Sequence, residues 1–176
     1  ADDQDFLWDI LYVALWDAPG ERRRPRSVLE NPSIRKYVEN WGRPHDYGIL
    51  ATNASQTRIG AIWSRLDGFE ESDGYGCGFP CLGIGVLDSF QGIGLGTYLL
   101  QSFISGLRGR VDGLRLGVNP KNDRAIRLYD KAGFIQYAIG AGGYPQMKLS
   151  FNIVDQAGAT NRIPDAKSQQ NNDLEP

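Results

Sequence analysis

The sequence has few of the residues that build disulfide frameworks and zinc sites. Its 176 residues include two cysteines, Cys77 and Cys81, and one histidine, His45. Two cysteines cannot make a disulfide framework, and with a single histidine they form a poor zinc site. We therefore expect no metal centre and a reducing, cytoplasmic environment.

Long apolar runs and a large excess of one charge are also missing. No apolar run approaches the length that crosses a bilayer, and a net charge of −2 does not suit a chain that collects nucleic acid. Asp9 interrupts the apolar stretch at residues 6–16, which has no basic flank and so does not predict a signal peptide. We expect neither a membrane nor a nucleic acid as a partner.

Glycine, in contrast, is abundant, and three glycines alternate within one stretch of the chain. Gly92, Gly94 and Gly96 lie between an apolar strand pattern and the helical pattern that begins at residue 97. Glycine is costly at the start of a helix unless bare backbone is needed there. Because unpaired N–H groups and the helix dipole favour an anion, the run predicts a phosphate-binding turn. A turn that only packs the helix against the sheet is the alternative.

Apolar periodicity along the chain predicts an α/β fold. Helical spacing covers residues 5–17, 31–42, 97–107 and 122–134. Strand patterns cover residues 46–53, 58–66, 81–87, 113–119, 134–140 and 144–151. This order predicts a mixed sheet flanked by helices, in one domain over residues 1–154. The polar residues 155–176 are expected to form a disordered or loosely packed tail.

Two common phosphate-binding loops fit the glycine run poorly. The dinucleotide fingerprint G-x-G-x-x-G fails because Thr97 stands at the position after Gly96, and no acidic residue ends the next strand to hold a ribose. A P-loop requires Gly-Lys-Ser/Thr, which the sequence does not contain. The pattern that remains is Gln-x-x-Gly-x-Gly, beginning at Gln91.

This pattern resembles the acetyl-CoA pyrophosphate loop of the GNAT N-acetyltransferase superfamily, Gln/Arg-x-x-Gly-x-Gly/Ala. The stretch at residues 122–134, NDRAIRLYDKAGF, resembles the family's second signature, Asn-x-x-Ala-x-x-Leu-Tyr-x-x-x-Gly-Phe. The matching residues are Asn122, Ala125, Leu128, Tyr129, Gly133 and Phe134. Two motifs in the family's order are more specific than either alone, and the resemblance spans residues 5–152. It implies the GNAT fold, a mixed and mostly antiparallel sheet whose central strand pair splays.

The resemblance also implies acetyl-CoA as co-substrate and a primary amine as acceptor. The amine, in a small molecule or at a peptide N-terminus, would attack the thioester directly in a ternary complex, and the enzyme would be a monomer or homodimer. The diphosphate would bind the backbone N–H groups of Gln91, Gly92, Ile93, Gly94, Leu95 and Gly96. Val86 and Leu87 would lie along the pantetheine arm, where glycines in the strand agree with a bulge. A backbone N–H near Leu87 would be the oxyanion donor.

Two residues of the second motif have implied roles beside the cofactor. Asn122 resembles the family's cofactor-contacting asparagine, and it also fits a helix cap. Tyr129 matches the family tyrosine near the CoA sulfur, whose hydroxyl would protonate the leaving thiolate. The alternative for Tyr129 is a core residue of its helix.

The general base is where the chain departs from the family. Many members carry a glutamate early on the motif strand, and Cys81 stands at that position here. Cys81 fits a small buried apolar residue, whereas an acyl-cysteine route has no neighbouring histidine in the sequence. The carboxylates of Glu70, Glu71 or Asp73 acting through water, or an acceptor amine of low pKa, are the other options.

The acceptor and the activity itself stay open. The acidic loop at residues 67–79 favours a cationic acceptor, and the basic segment 21–26 favours an anionic one. Aromatic candidates for the acceptor groove are Trp16, Trp41, His45 and Tyr47. Because the glutamate is missing, a non-catalytic acyl-CoA-binding or sensing module on the same fold is the alternative to an enzyme. A dinucleotide-binding oxidoreductase fits less well.

Overall fold

The structure, a computed structural model, describes residues 3–66 and 78–151. The helices are α1 (Asp3–Ala14), α2 (Pro32–Arg35), α3 (Leu95–Leu107) and α4 (Asp123–Lys131). The strands are β1 (Tyr47–Thr52), β2 (Arg58–Arg65), β3 (Cys81–Val86), β4 (Gly113–Gly117), β5 (Ile135–Ile139) and β6 (Pro145–Ser150). The predicted order of helices and strands is therefore confirmed.

The described strands form one six-stranded sheet in the order β1-β2-β3-β4-β6-β5. Neighbouring strands are antiparallel except for the central pair β3 and β4, which is parallel. One core cluster gathers α3, Tyr129 of α4 and residues of the central strands, and a second joins α1 to β2. The fold is the mixed, mostly antiparallel α/β sheet that the resemblance implies.

The central strand pair is joined at one position only among the described residues. Cys81 pairs with Arg115, whose N–H donates to the Pro80 carbonyl at 3.1 Å. Past this bridge the two parallel strands part toward their carboxyl ends, so β3 faces open space from Gly83 onward. The predicted splay of the central pair is confirmed, and it places a cleft in the middle of the sheet.

The glycines of β3 have a role other than the expected bulge. Pairing of β3 with β2 runs without a register shift from Cys81 to Val86. A Cβ at Gly83 would lie 2.4 Å from the Trp63 ring, and one at Gly85 would lie 2.8 Å from the Ile10 carbonyl oxygen. These glycines therefore let an indole and helix α1 approach the strand closely, and the bulge expectation is wrong.

The predicted second helix over residues 31–42 is much shorter in the structure. Asn31 caps it by accepting a hydrogen bond from the Ser33 N–H at 2.9 Å, and α2 then ends after one turn. The following carbonyls turn toward Arg65, a residue of β2. Because a side chain from elsewhere in the fold binds these carbonyls, the local helical pattern does not continue.

Several expectations concern residues outside the described ranges. These are the tail at 155–176, the domain end at 154, Cys77, and the candidate bases Glu70, Glu71 and Asp73. Within residues 3–66 and 78–151, no helix has the length and apolarity needed to cross a membrane. The same residues contain no cluster of three or more histidine, cysteine or acidic residues that could hold a metal ion.

Candidate active site between the splayed strands

A cleft of about 1280 Å³ opens where β3 and β4 part. Ile84 and Val86 form one wall, Val118 and Asn119 form the opposite wall, and Tyr129 of α4 lies between them. The glycine turn lines one end, and the C-terminal half of α1 lines the other. Its volume exceeds that of common small-molecule pockets, about 300–1,000 Å³, so the cleft is large enough for two ligands side by side.

The glycine turn has the geometry of an anion site. Gly92 and Gly94 adopt left-handed φ angles of 86° and 89°, which strongly favour glycine. Helix α3 starts immediately afterwards at Leu95, and no side chain of the described residues caps its first turn. The unpaired N–H groups of that turn therefore lie at the cleft, since Gly94, Gly96 and Thr97 all line it.

Gly96 differs from the other two glycines because the fold does not require a glycine there. Its backbone is helical, and the nearest atom to an added Cβ would be Leu128 Cδ2 at 3.9 Å. Glycine costs about 1 kcal/mol relative to alanine inside a helix. The open space above bare backbone at the cleft fits a ligand that lies against the turn, as a diphosphate would.

The Gln91 side chain fastens the turn to the end of β3. Its Nε2 donates to the Val86 carbonyl and to Asp88 Oδ1, both at 3.0 Å. The side-chain amide is therefore already hydrogen-bonded within the protein, and the part of Gln91 that could contact a ligand is its backbone. Of the other turn residues, Ile93 exposes 73% of its surface and Leu95 packs against the core, so their expected contribution is also through the backbone.

The backbone N–H of Leu87, expected as the oxyanion donor, is already paired within the sheet. The Leu87 N–H donates to the Ile59 carbonyl at 3.0 Å, and its side chain packs near α1, so this N–H belongs to the sheet. In an antiparallel pair, alternate residues direct their N–H groups toward the partner strand or away from it. The parity set by Leu87 directs the N–H groups of Ile84 and Val86 away from β2, into the cleft.

Asn122 lies at the start of α4 and lines the cleft. Its side-chain oxygen accepts a hydrogen bond from the Ala125 N–H at 3.0 Å, which caps the helix. The cap that the sequence predicts is thus confirmed, and the same side chain lies at the wall where cofactor contact is expected.

Tyr129 and Cys81 lie together in the cleft. Tyr129 is 8% exposed and packs on Phe134 with ring centroids 5.7 Å apart. Burial, and secondarily the nearby Cys81 thiol, raises the pKa of Tyr129 above the usual tyrosine value. The hydroxyl therefore stays protonated throughout the neutral range and is available as a hydrogen-bond or proton donor.

Two cleft residues were not singled out in the sequence. Arg115 is almost buried in β4 beside Cys81, and its Nε donates to the Phe79 carbonyl at 3.2 Å. Trp63 of β2 is 1% exposed and lines the cleft. An arginine inside an otherwise apolar strand was the available signal for the first, whereas Trp63 reads in the sequence as an ordinary core residue.

Basic side chains outnumber acidic ones among the described residues that line the cleft, although Arg24 is paired with Asp17 and Lys121 with Glu21, both at 2.7 Å. One acidic side chain, Asp123, lines it. Seven basic side chains line it, namely Arg24, Lys36, Arg115, Lys121, Arg124, Arg127 and Lys131. Such a surface suits a ligand that carries several phosphates. A carboxylate base like the family's glutamate is not among these described lining residues.

The aromatic candidates for the acceptor groove separate into two groups. Trp16 lines the cleft. Trp41 packs against Gly48 and the Arg65 guanidinium, and Tyr47 packs against the core, so both serve the interior. The stretch around His45 is a turn in which Asp46 accepts hydrogen bonds from two backbone N–H groups, and it does not line the cleft.

The splayed parallel pair with a glycine turn beside it defines the acyl-CoA N-acyltransferase class of fold. The sequence profile of the acetyltransferase (GNAT) family matches residues 8–134. The chain therefore belongs to the GNAT family.

Solved structures of the same fold cover most of the chain. Escherichia coli ribosomal-protein-S18-alanine N-acetyltransferase superposes with a TM-score of 0.59 at 19% identity, over 88% of this chain and 91% of that one. Sinorhizobium meliloti phosphinothricin acetyltransferase, solved with acetyl-CoA, gives a TM-score of 0.60 at 12% identity, over 85% and 83%.

Curated relatives match at low identity. A mycothiol acetyltransferase of Paenarthrobacter aurescens is 29% identical over 105 residues, which are 57% of this chain and 30% of that protein. Another from Propionibacterium freudenreichii is 26% identical over 145 residues, 82% of this chain and 44% of that protein. The chain spans less than half the length of these relatives.

Proposed function

We propose that the chain is an acetyl-CoA-dependent N-acetyltransferase that moves an acetyl group to a primary amine by direct attack in a ternary complex. The observation that carries the proposal is one continuous cleft in which the glycine turn, the parted strands and Tyr129 meet. Fold neighbours solved with acetyl-CoA and relatives named as acetyltransferases support it. We further propose a monomer or homodimer in the cytoplasm, with the catalytic domain at residues 1–154.

Acetyl-CoA would lie across the splay, with its diphosphate at the glycine turn. The N–H groups of the turn from Gln91 to Gly96 would bind the phosphate oxygens, and Asn122 would contact the cofactor from α4. The pantetheine arm would pair with the backbone of Ile84 and Val86 and take the place of the missing strand. The basic side chains of the cleft favour the phosphates of CoA.

The acetyl transfer then needs an electron pair, an oxyanion donor and an acid. The neutral amine nitrogen would attack the thioester carbonyl carbon, and the Val86 N–H would hydrogen-bond the carbonyl oxygen as it becomes negative. Donors of this type contribute about 10²–10³ in rate. The carbon–sulfur bond then breaks, and the Tyr129 hydroxyl donates a proton to the leaving thiolate.

No described carboxylate lies where the family's glutamate would act, so we propose that the acceptor enters as the free amine. The α-amino group at a peptide N-terminus, with a pKa of about 7.7–8.0, is largely neutral in mildly alkaline solution and needs no strong base. Once the nitrogen has attacked, its proton becomes acidic and passes to water in the open cleft, and water returns a proton to the Tyr129 oxygen.

The test is thiol release from acetyl-CoA against a panel of amino acids, polyamines, aminoglycosides and peptides with free N-termini. We expect Tyr129→Phe to lower kcat by about 10²-fold while the KM for acetyl-CoA stays unchanged. Tyr98→Phe, on an exposed side chain of α3, is the control and should behave as wild type. Equal kcat values for the two variants would exclude Tyr129 as the acid.

The alternative, a non-catalytic acyl-CoA-binding or sensing module, is favoured by the lack of a described carboxylate near Cys81. It requires CoA to raise the melting temperature while no amine in the panel releases thiol. Turnover with any amine at a rate above the uncatalysed reaction excludes it.

A further inference from the structure

Three basic side chains form one exposed face of α4, which we call the basic face. Its members, Arg124, Arg127 and Lys131, are exposed and line the cleft. Their spacing of three and four residues places them on one side of the helix. No described residue forms a hydrogen bond or an ion pair with these side chains, whereas Lys121 at the same cleft is paired with Glu21 at 2.7 Å. The three cations of the basic face are therefore available to a ligand.

The basic face adjoins the glycine turn. Leu128 lies in the same stripe of the helix, and its Cδ2 is 3.9 Å from the position that a Cβ would take at Gly96. Residues three and four apart on a helix have Cβ atoms about 5–6 Å from each other, so Arg124 and Lys131 flank this contact on its two sides. Side chains of that length reach the space beside the turn, where the diphosphate of acetyl-CoA is expected.

CoA carries one phosphate more than the diphosphate expected at the glycine turn. This third group, the 3′-phosphate, is attached to the same ribose as the diphosphate and therefore lies near it. A phosphate monoester carries about −1.5 to −2 charges at pH 7 and offers three strong acceptor oxygens. Arginine binds such a group through two parallel N–H bonds, and lysine binds it as a point charge. A dianion beside the turn thus matches both the charge and the position of the basic face.

We propose that the basic face of α4 binds the 3′-phosphate of CoA, with Arg124 and Arg127 as the principal contacts, so that the protein distinguishes CoA from 3′-dephospho-CoA. The assignment rests on acetyl-CoA as the donor of the proposed transfer. The two arginines are three residues apart and can hold one phosphate between them. Lys131 lies one turn further along the helix and adds attraction at longer range.

Calorimetry that compares CoA with 3′-dephospho-CoA on the same protein tests the proposal. We expect wild type to bind CoA about tenfold or more tightly, and the double variant Arg124→Gln/Arg127→Gln to bind the two ligands within about twofold, because the charge-assisted hydrogen bonds to the phosphate are lost. Since both ligands meet the same protein, partial unfolding of a variant changes both affinities alike and leaves their ratio intact.

A matched control and a change of salt sharpen the comparison. Arg110→Gln removes an exposed arginine that does not line the cleft, and it should keep the wild-type ratio. Raising the salt from 0.1 M to 1 M shortens the screening length from about 10 Å to about 3 Å, so the preference of wild type for CoA should shrink. The ratio of the double variant should respond little to the same change.

Three results would overturn the proposal. The first is equal affinity of wild type for CoA and 3′-dephospho-CoA. The second is a double variant that weakens both ligands equally, since that would assign the arginines to the diphosphate. The third is a rise in the KM of the acceptor rather than of acetyl-CoA, which would assign the basic face to an anionic acceptor.

Calorimetry needs no turnover, so the 3′-phosphate site and the proposed acetyl transfer fail separately. A preference for CoA in a protein that acetylates no amine would leave the site standing and defeat the proposed enzyme. Acetyl transfer with equal KM values for acetyl-CoA and its 3′-dephospho form would keep the enzyme and overturn the site.

Discussion

Replacing Asp46 by asparagine should destabilise the protein strongly, because it breaks a fully buried ion pair. Arg65 donates from Nε to Oδ1 at 2.8 Å and from Nη2 to Oδ2 at 2.6 Å, and both side chains are 2% exposed. The same guanidinium binds the Lys36 and Glu39 carbonyls at 2.8 and 2.7 Å. The pair therefore anchors the turn that replaces the predicted second helix.

The size of the effect follows from what is left behind. Removing one partner of a buried pair leaves an uncompensated charge, at a cost of about 3–5 kcal/mol. Asparagine retains one acceptor oxygen, so we expect the lower end, about 3 kcal/mol. At about 2–4 °C per kcal/mol for a chain of this size, the Tm should fall by about 6–12 °C.

The loss should depend on pH in a definite direction. Burial by itself would raise the pKa of Asp46, but the bonds from Arg65 and from the backbone of Arg43 and Gly42 outweigh it, and the pKa is lowered. A lowered folded-state pKa gives a contribution that is present above the unfolded value, about 3.9, and is lost as the pH falls through the folded value. The difference in unfolding free energy between wild type and Asp46→Asn should therefore become smaller at acidic pH.

Urea unfolding followed by far-ultraviolet circular dichroism at pH 7 and pH 3 measures both quantities. Asp9→Asn, which removes the carboxylate of an exposed pair with Arg26, is the control and should change the unfolding free energy by less than about 1 kcal/mol. A loss below 1 kcal/mol for Asp46→Asn at pH 7, or an undiminished loss at pH 3, would refute the reasoning.

Two further predictions concern the sheet and the reaction. Gly85→Ala places a methyl group 2.8 Å from the Ile10 carbonyl oxygen and should lower the free energy of unfolding by about 1–3 kcal/mol. Gly96→Ala has open space around the added methyl group and should leave the free energy of unfolding equal or slightly higher. Equal free energies of unfolding for the two variants in urea titrations would contradict this. The rate with a subsaturating acceptor should rise with pH through the pKa of the acceptor amine and then stay level to about pH 10, because burial keeps Tyr129 protonated. A falling limb near pH 8 in thiol-release assays would show that another acid is required.

The local sequence pattern was sufficient to predict those parts of the fold whose stabilising contacts come from residues close in sequence. The glycine turn and α3 follow from residues 91–107, and the Asn122 cap follows from its own helix. The second helix was overestimated because its carbonyls bind Arg65, which lies in a strand far along the chain. The sequence of residues 31–42 alone gives no indication of that contact with Arg65.

In the candidate site, too, features that depend on local sequence were predictable and features that depend on strand pairing were not. The glycines at positions 92 and 94 were recognisable because left-handed backbone favours glycine strongly. Which N–H of the strand end faces the cleft depends on strand parity, and parity is set by the pairing of Leu87 with Ile59. The place of Trp63 in the cleft wall was missed for a related reason, since its ring lies over Gly83 of the neighbouring strand.

Among the described residues, a single bridge between Cys81 and Arg115 joins the two leaves of the sheet, β1-β2-β3 and β4-β6-β5. Each leaf has its own antiparallel ladders, and one buried core cluster packs against both leaves. A ligand that lies along β3 and touches β4 would act as a seventh strand and join the leaves. The amides of Ile84 and Val86 should then exchange with solvent rapidly in the empty protein and slowly in the CoA complex, which makes the cofactor a structural member of the sheet as well as a reactant.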